Sequence, residues 1–175
     1  MTKLLLAAAL LLGGCAMSVE GELPEIEVTQ EALSVPGVPR ELRTGEVSVA
    51  VPSFFQPNDR LGLPIDSYKS VKVKGLVVSL KKGGGGDLSF VHTMRVTLSG
   101  LQGYLAGVAP TEVARYERPA GGSAGTTIDA SQGSVEVVEA WRDPVTVMTL
   151  EATGDLPEEA WTVDVVVRLS AVLTY

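Results

Sequence analysis

Apolar and polar residues alternate with a period of two along much of the chain, and the pattern is clearest between Trp161 and Tyr175. Because successive side chains of a β-strand point to opposite faces, this segment is predicted to be a strand with one buried face. Strands usually contain roughly 3–10 residues. We therefore expect this longer strand to lie in the centre of a sheet, and either to bend or to pass from one sheet to another.

Two further apolar segments, residues 70–82 and 87–99, flank four consecutive glycines at positions 83–86. Glycine adopts positive φ without steric cost, so these glycines predict the flexible tip of a hairpin between the two segments. The alternation in the first segment shifts by one residue at Gly75, which predicts a β-bulge there. In the second segment the alternation places His92 on the inner face together with Met94.

Shorter β-branched segments between prolines and glycines complete the pattern, while a helical repeat of 3.6 residues is almost absent. They occupy residues 26–30, 45–51, 112–116, 126–129, 134–140 and 145–153. Many short strands between turn residues are typical of a sandwich rather than of a parallel α/β sheet. The sequence thus predicts an all-β fold, an antiparallel β-sandwich of about eight or nine strands. The short acidic segment 26–30 is the best candidate for an edge strand.

The N-terminal segment has a different pattern. Met1-Thr2-Lys3 precedes an apolar run at residues 4–12, and Leu12-Gly13-Gly14-Cys15 ends in the only cysteine of the chain. A basic start, a short apolar run and small residues are the layout of a secretory signal peptide. The run is too short to span a bilayer, which needs about 20 helical residues. The alternative interpretation is a free thiol buried in an N-terminal helix.

Through its final cysteine, this segment resembles the type II signal peptides of bacterial lipoproteins, and the resemblance covers the first 15 residues. It implies a signal peptide at residues 1–14, lipid on Cys15, a tether at residues 15–22 and a β-sandwich domain at residues 23–175. In that family an aspartate after the cysteine retains the protein at the inner membrane, so Ala16 implies the outer membrane of the bacterial cell envelope. One acyl chain binds a membrane only marginally, so the two or three chains that the resemblance implies would anchor the protein firmly.

Charge narrows the range of partners. The formal net charge of the chain is −7 at pH 7. Because no cluster of basic residues interrupts this acidic character, binding to nucleic acid is disfavoured. Lipid on Cys15 would leave no thiol for a disulfide or for catalysis. The expected partners are a membrane, through the lipid on Cys15, and an envelope protein or a glycan.

Two sequence features could indicate an enzyme, and neither has the required context. Residues 121–125 match the G-x-S-x-G pattern of hydrolases, but no helical pattern follows Ser123, and the sole histidine precedes it instead of following it. His92 could serve as a general base or a metal ligand, yet no second histidine or cysteine completes a zinc site. We interpret residues 121–125 as a loop and His92 as a structural residue, and we predict no catalytic residue.

Carboxylates in predicted loops are candidate calcium ligands. Asn58-Asp59, Asp129 and Asp143 offer oxygen ligands, but no D-x-D-x-D run brings several of them together. Two catalytic carboxylates need not be neighbours in sequence, and nothing here selects a pair. The sequence therefore designates no metal-ligating residue and no cofactor.

Phe55 and Trp141 are the candidate ligand contacts. Phe54 and Phe55 are adjacent near the end of a predicted strand, so at least one ring must point away from any single face. Trp141 precedes Asp143-Pro144, which predicts a loop. An exposed aromatic ring would suit a sugar or a protein partner. The alternative is that both rings pack over the end of the sandwich.

The predicted function is that of a non-enzymatic lipoprotein acting as a binding or structural module. The domain after Cys15 resembles uncharacterised envelope β-sandwich lipoproteins only generically. One alternative is a surface adhesin or carbohydrate-binding module, which would use exposed Phe55 and Trp141. Another is an envelope-assembly partner, which would accept a strand of a second protein at the edge formed by residues 26–30.

Overall fold

The computed structural model describes residues 20–43, 45–130 and 133–174. The predicted signal peptide and the lipidation site Cys15 lie outside the described residues. The strands are β1 (Glu20–Glu22), β2 (Ile26–Val35), β3 (Val47–Phe55), β4 (Tyr68–Lys82), β5 (Val91–Gly100), β6 (Thr111–Glu117), β7 (Thr127–Ala130), β8 (Val135–Glu136), β9 (Thr146–Gly154) and β10 (Trp161–Thr174). Short α-helices are α1 (Pro57–Leu61), α2 (Leu101–Leu105) and α3 (Val138–Trp141), and 3₁₀ turns occupy Arg40–Leu42, Ile65–Ser67 and Gly84–Gly86.

The strands form two antiparallel sheets that pack face to face. In the first sheet β10 lies between β4 on one side and β1 and β2 on the other, while β7 and β8 pair with the far side of β4. The second sheet has the order β3-β9-β5-β6. The prediction of an antiparallel β-sandwich is confirmed.

The strand order follows from one long antiparallel ribbon that is rolled up. β2 pairs with β10, β3 with β9, β4 with β7 and β8, and β5 with β6, so each strand meets its mirror image in chain order. Additional pairing of β10 with β4 and of β9 with β5 divides the ribbon into two sheets. This arrangement is that of a jelly roll, with β1 as an addition to the first sheet.

The alternation between Trp161 and Tyr175 predicted a long central strand, and β10 confirms this prediction. Alternate residues from Trp161 to Leu173 are buried between the sheets, and the strand pairs on both sides, as expected for a central position. It stays in the first sheet along its whole described length. The predicted bulge is also present, because Arg168 lies opposite Gly75 and Leu169 opposite Val73, which leaves one extra residue on β4.

The predicted hairpin between β4 and β5 is wrong. β4 belongs to the first sheet and β5 to the second, so the glycines at 83–86 connect the two sheets. A Cβ on Gly84 would lie 2.5 Å from the ring of Phe90, and that ring packs edge-to-face on Trp161 at 4.9 Å. Gly84 therefore admits the ring of Phe90 at the junction of the two sheets, while Gly83, Gly85 and Gly86 are exposed.

Two further segments differ from expectation. Residues 134–140 were predicted as a strand, but the strand ends at Glu136 and α3 follows, with Val138 and Trp141 buried on its inner side. The side chain of Glu136 accepts the N–H of Val138 at 3.2 Å, which favours the turn into the helix. Glu20–Glu22, assigned to the tether, form β1 against residues 172–174 of β10.

The register defines two ends of the sandwich. The proximal end contains β1, the start of β4 and the end of β10, since Glu20 lies opposite Thr174 and Tyr68 opposite Leu173. The three α-helices also lie in connections at this end. The distal end contains the connections β2–β3, β4–β5, β6–β7 and β9–β10. In the described part of the chain, no helix is long and apolar enough to cross a membrane.

Candidate functional site

A cleft of about 570 Å³ opens at the distal end and is the candidate functional site. Its wall combines the β2–β3 connection with the start of β5 and the end of β9. The lining residues are Arg43, Gly45, Glu46, Val47, His92, Gly154, Asp155 and Leu156. Three segments that are distant in sequence therefore meet in one polar cleft.

The imidazole of His92 lies between two carboxylates in this cleft. Its Nδ1 is 3.1 Å from Oε1 of Glu46, and its Nε2 is 3.1 Å from Oδ2 of Asp155. The side chain of His92 is 28% exposed, whereas those of Glu46 and Asp155 are 53% and 79% exposed. Each ring nitrogen thus lies within hydrogen-bond distance of a carboxylate, and a neutral imidazole donates to only one of the two. Both carboxylates keep oxygen atoms accessible to a ligand.

A β-bulge explains why His92 leaves the inner face that the alternation predicted. In the pairing of β5 with β9, Val91 lies opposite Gly154 and Thr93 opposite Thr153, so His92 has no partner on that side. Val91 is fully buried in its place. The bulge directs the imidazole to the end of the sandwich, while Met94 stays in the core as predicted.

Gly154 brings the end of β9 against the start of β5. Its φ is +152°, and a Cβ at this position would lie 2.2 Å from the carbonyl oxygen of Phe90 and 2.8 Å from the backbone nitrogen of His92. The next residue, Asp155, donates its backbone N–H to that same carbonyl at 2.9 Å. Because Gly154 has no side chain, the two strands can approach closely enough for this hydrogen bond, which places Asp155 beside His92.

Two carboxylates, those of Glu46 and Asp155, share the cleft with the imidazole of His92 and the guanidinium of Arg43. The Nε of Arg43 donates to the carbonyl of Val38 at 3.2 Å. Among the described residues, no hydrogen-bond partner reaches the buried Nη2 of Arg43. The described lining residues include no serine, threonine or cysteine. This arrangement can accept hydrogen bonds from a ligand, but it supplies no hydroxyl or thiol nucleophile.

Ser123, considered above as a hydrolase nucleophile, lies exposed in the β6–β7 connection. Its hydroxyl accepts the backbone N–H of Gly125 at 3.4 Å, which is typical of a turn. The two ring nitrogens of His92 contact carboxylates instead of this hydroxyl. The serine and the histidine therefore do not form a catalytic pair.

The candidate ligand contacts Phe55 and Trp141 face the core. Trp141 is 1% exposed, and the two rings pack edge-to-face with centroids 5.8 Å apart. Phe55 shares the strand face of Val49 and Val51, and α3 carries Trp141 inward. Trp141 therefore lacks the exposure that a ligand contact requires. Of the two adjacent phenylalanines, Phe54 is the exposed one.

The loop carboxylates have local structural partners. Asp143 accepts the backbone N–H of Gln102 at 2.9 Å and that of Val145 at 3.2 Å, and Asp129 lies 3.4 Å from Arg168. The amide oxygen of Asn58 accepts the N–H of Ile65 at 3.0 Å. Within residues 20–43, 45–130 and 133–174, no three His, Cys, Asp or Glu side chains are grouped to hold a metal ion.

A second surface feature was not predicted from the sequence. Phe54, Tyr104, Leu105 and Val108 are exposed by 55%, 42%, 71% and 61% on or beside the outer face of the second sheet. The rings of Phe54 and Tyr104 contact edge-to-face at 6.2 Å. One signal was available, because residues 96–111 contain no charged residue. We refer to these four residues as the apolar patch.

Strand β2 lies at a sheet edge, as predicted, and it is bulged. Among the described strands it pairs with β10 alone, and the register shifts between Val163 and Val165. Ala32 adopts a left-handed φ of 52° there, and its N–H donates to the carboxylate of Asp164 at 3.0 Å. Such a bulge, together with exposed glutamates, hinders pairing with a strand of another protein.

Asp164 gives the fold a pH-dependent contact. The hydrogen bond from Ala32, and then the ion pair with Lys81 at 2.9 Å, hold the pKa of Asp164 below its ordinary value. A lowered folded-state pKa adds stability above the unfolded pKa of about 3.9, and this stability is lost as pH falls through the folded value. We expect Asp164→Asn to lower the thermal midpoint at pH 7 but hardly at pH 2, measured by circular dichroism. If the variant has the same decrease in thermal midpoint at pH 7 and at pH 2, the charge of Asp164 does not stabilise the fold.

Comparison with known proteins gives a fold-level likeness only. No protein-family model matches the chain, and no curated protein matches its sequence. The chain is similar to the capsid protein of BFDV (TM-score 0.41, 8% identity, covering 87% of this chain and 99% of that one). It is also similar to a Cocksfoot mottle virus structure (TM-score 0.41, 10% identity, 92% and 86% covered) and to a triple jelly-roll protein of an archaeal virus (TM-score 0.39, 13% identity, 89% and 30% covered). Likeness at this level carries no information about what this chain binds or where it acts.

Proposed function

We propose that the protein is a lipid-anchored lipoprotein of the bacterial cell envelope that acts as a non-enzymatic binding module. Lipid on Cys15 holds it at the membrane, and the distal cleft around His92 takes the ligand. The observation that carries the proposal is the position of β1, which starts at Glu20 and lies at the end of the sandwich opposite the cleft.

Distances along the chain support this orientation. Glu20 follows Cys15 by five positions, so the anchor and β1 are at most about 17 Å apart. Strand β10, with 14 residues, spans roughly 45 Å between the proximal and distal ends. A lipid on Cys15 therefore keeps the proximal end near the membrane and presents the distal cleft away from it.

The chemistry of the cleft favours binding over catalysis. Two exposed carboxylates flank His92, and the described lining residues provide no hydroxyl or thiol nucleophile. Carboxylates accept strong hydrogen bonds from charged donors. The ligand class that fits is a small polar molecule with ammonium groups, and a glycan hydroxyl is a weaker donor to the same oxygens. Placement at the outer membrane rests on Ala16 and on the resemblance to lipoproteins.

The other functions considered from the sequence have less support. An adhesin built on Phe55 and Trp141 would need rings that are not buried against each other. An assembly partner would need a free edge, whereas β2 carries the bulge at Ala32. The distal cleft needs neither feature.

Binding at the cleft can be tested through its histidine. His92 is the only histidine of the chain, so its imidazole resonances report on the cleft alone. Titration of the lipidated protein in detergent micelles with spermidine is expected to shift these resonances, more strongly than titration with maltohexaose. Losing one charged hydrogen bond costs about 1.5–3 kcal/mol, so Asp155→Asn should weaken spermidine binding by about tenfold or more.

The matched control is Glu139→Gln, which removes an equal charge from an exposed side chain at the proximal end. This variant should bind spermidine as the parent does. Unchanged His92 resonances with both probes, or equal binding by the Asp155→Asn variant, would contradict the proposed ligand class and site.

A further inference from the structure

The apolar patch lies at the proximal end, where the described chain begins. Helix α2, which carries Tyr104 and Leu105, directly follows the end of β5 at Gly100. Gly100 pairs with Thr146, the first residue of β9, so α2 lies beside the connection that follows α3. That connection is proximal, because β8 pairs with the first half of β4.

The segment that carries the patch is held in place by proximal contacts. The backbone N–H of Leu101 donates to the carbonyl of Val145 at 2.9 Å, and that of Gln102 donates to the carboxylate of Asp143 at 2.9 Å. The N–H of Val108 donates back to the carbonyl of Gly103 at 2.9 Å. Leu105 and Val108 are therefore exposed on a turn whose backbone is held by hydrogen bonds.

Most of this surface belongs to a segment without charged residues, although Glu139 and Asp143 of another segment line the same cleft as Val108. The chain has a net charge of −7, but residues 96–111 contain no charged side chain. Charged groups are costly in the hydrocarbon core of a bilayer, whereas leucine, phenylalanine and tyrosine are favoured at its boundary. An uncharged patch with two aromatic rings thus matches a lipid surface better than it matches bulk water.

We propose that Phe54, Tyr104, Leu105 and Val108 contact the lipid surface of the membrane that holds Cys15. The proposal rests on the lipid anchor of the proposed function, because the anchor brings the proximal end to the membrane. Residues 1–19 precede Glu20, which lies at the same end as the patch, so lipid on Cys15 brings the membrane surface to that end. The lipid on Cys15 and the patch together then fix the orientation of the domain.

Two leucines of similar exposure provide a matched test. Leu105 is 71% exposed at the proximal end, and Leu42 is 66% exposed at the distal end. The full lipidated chain with Leu105→Trp, or with Leu42→Trp, is reconstituted in phosphatidylcholine vesicles with and without bromine on the acyl chains. The native Trp141 and Trp161 are 1% and 0% exposed and add an equal, shielded background. Brominated lipid should reduce the added emission of the Leu105→Trp variant at least twofold and leave that of the Leu42→Trp variant unchanged.

Sedimentation of the same vesicles separates the two proposals. Protein that pellets with the vesicles while Leu105→Trp emission stays unquenched would overturn the lipid contact and leave the anchor in place. The same result is expected if a second copy of the chain covers the patch. Protein that fails to pellet would overturn the anchor itself, and the lipid contact with it. Equal unfolding midpoints for both variants and the parent check that each chain is folded.

Discussion

Replacing Cys15 with serine is expected to move the protein from the detergent phase to the aqueous phase in a Triton X-114 separation. Serine has no thiol to accept a diacylglyceryl group, so the variant lacks the lipid. Each acyl chain contributes about 0.8 kcal/mol per buried methylene, and a single chain binds membranes with only about 10⁴ M⁻¹. Loss of two or three chains should therefore change the partitioning by several orders of magnitude, which immunoblots of the two phases measure.

The control is Ser18→Ala, a change of similar size three positions after the cysteine. This variant keeps the thiol and should stay in the detergent phase. If the Cys15→Ser variant also stays there, the lipid is not on Cys15. The apolar patch alone is not expected to retain it, because four partly exposed side chains bury less apolar surface than the two or three acyl chains that are lost.

Replacing Gly154 with alanine is expected to lower the free energy of unfolding by about 3 kcal/mol or more. An alanine Cβ would meet the carbonyl oxygen of Phe90 at 2.2 Å and the backbone nitrogen of His92 at 2.8 Å, and neither backbone atom can rotate away. A φ of +152° adds conformational strain for any side chain. Urea unfolding should show the loss as a midpoint lowered by roughly 1–3 M, given the usual slopes for small proteins.

A matched control separates the clash from the backbone strain. Gly62 has a φ of +77° and open space around its missing Cβ, so Gly62→Ala should cost only about 1–2 kcal/mol. The alanine at 154 would also lie 3.2 Å from Cδ2 of His92, so it should displace the imidazole resonances, which Gly62→Ala should not. Equal destabilisation by the two substitutions, with unchanged His92 resonances, would contradict the close approach of β9 to β5.

The local pattern of the sequence predicted strands well and their partners poorly. Alternation identified β10 and its central position, and the shift in alternation at Gly75 identified a bulge that the register confirms. A strand alternates in the same way whichever sheet it joins. For this reason the pattern could not show that β4 pairs with β10, far along the chain, instead of pairing with β5 across the glycines.

The candidate site could not be predicted, because its residues are far apart in the sequence and meet only in the folded structure. Glu46 and Asp155 come from two connections and His92 from the start of β5, and only the rolled ribbon brings them together. The burial of Phe55 could be predicted more easily, since Phe55 continues the inward alternation of Val49 and Val51. Trp141 was misplaced because the helix that buries it starts where a strand was expected.

Mass spectrometry of the protein from its own membranes tests most directly whether lipid on Cys15 holds this sandwich at a membrane. Trypsin should release an N-terminal peptide that runs from Cys15 to Arg40. We expect this peptide to start at Cys15 and to carry a diacylglyceryl group on sulfur. A Cys15 with a free thiol, inside a peptide that starts before it, would contradict the lipid anchor.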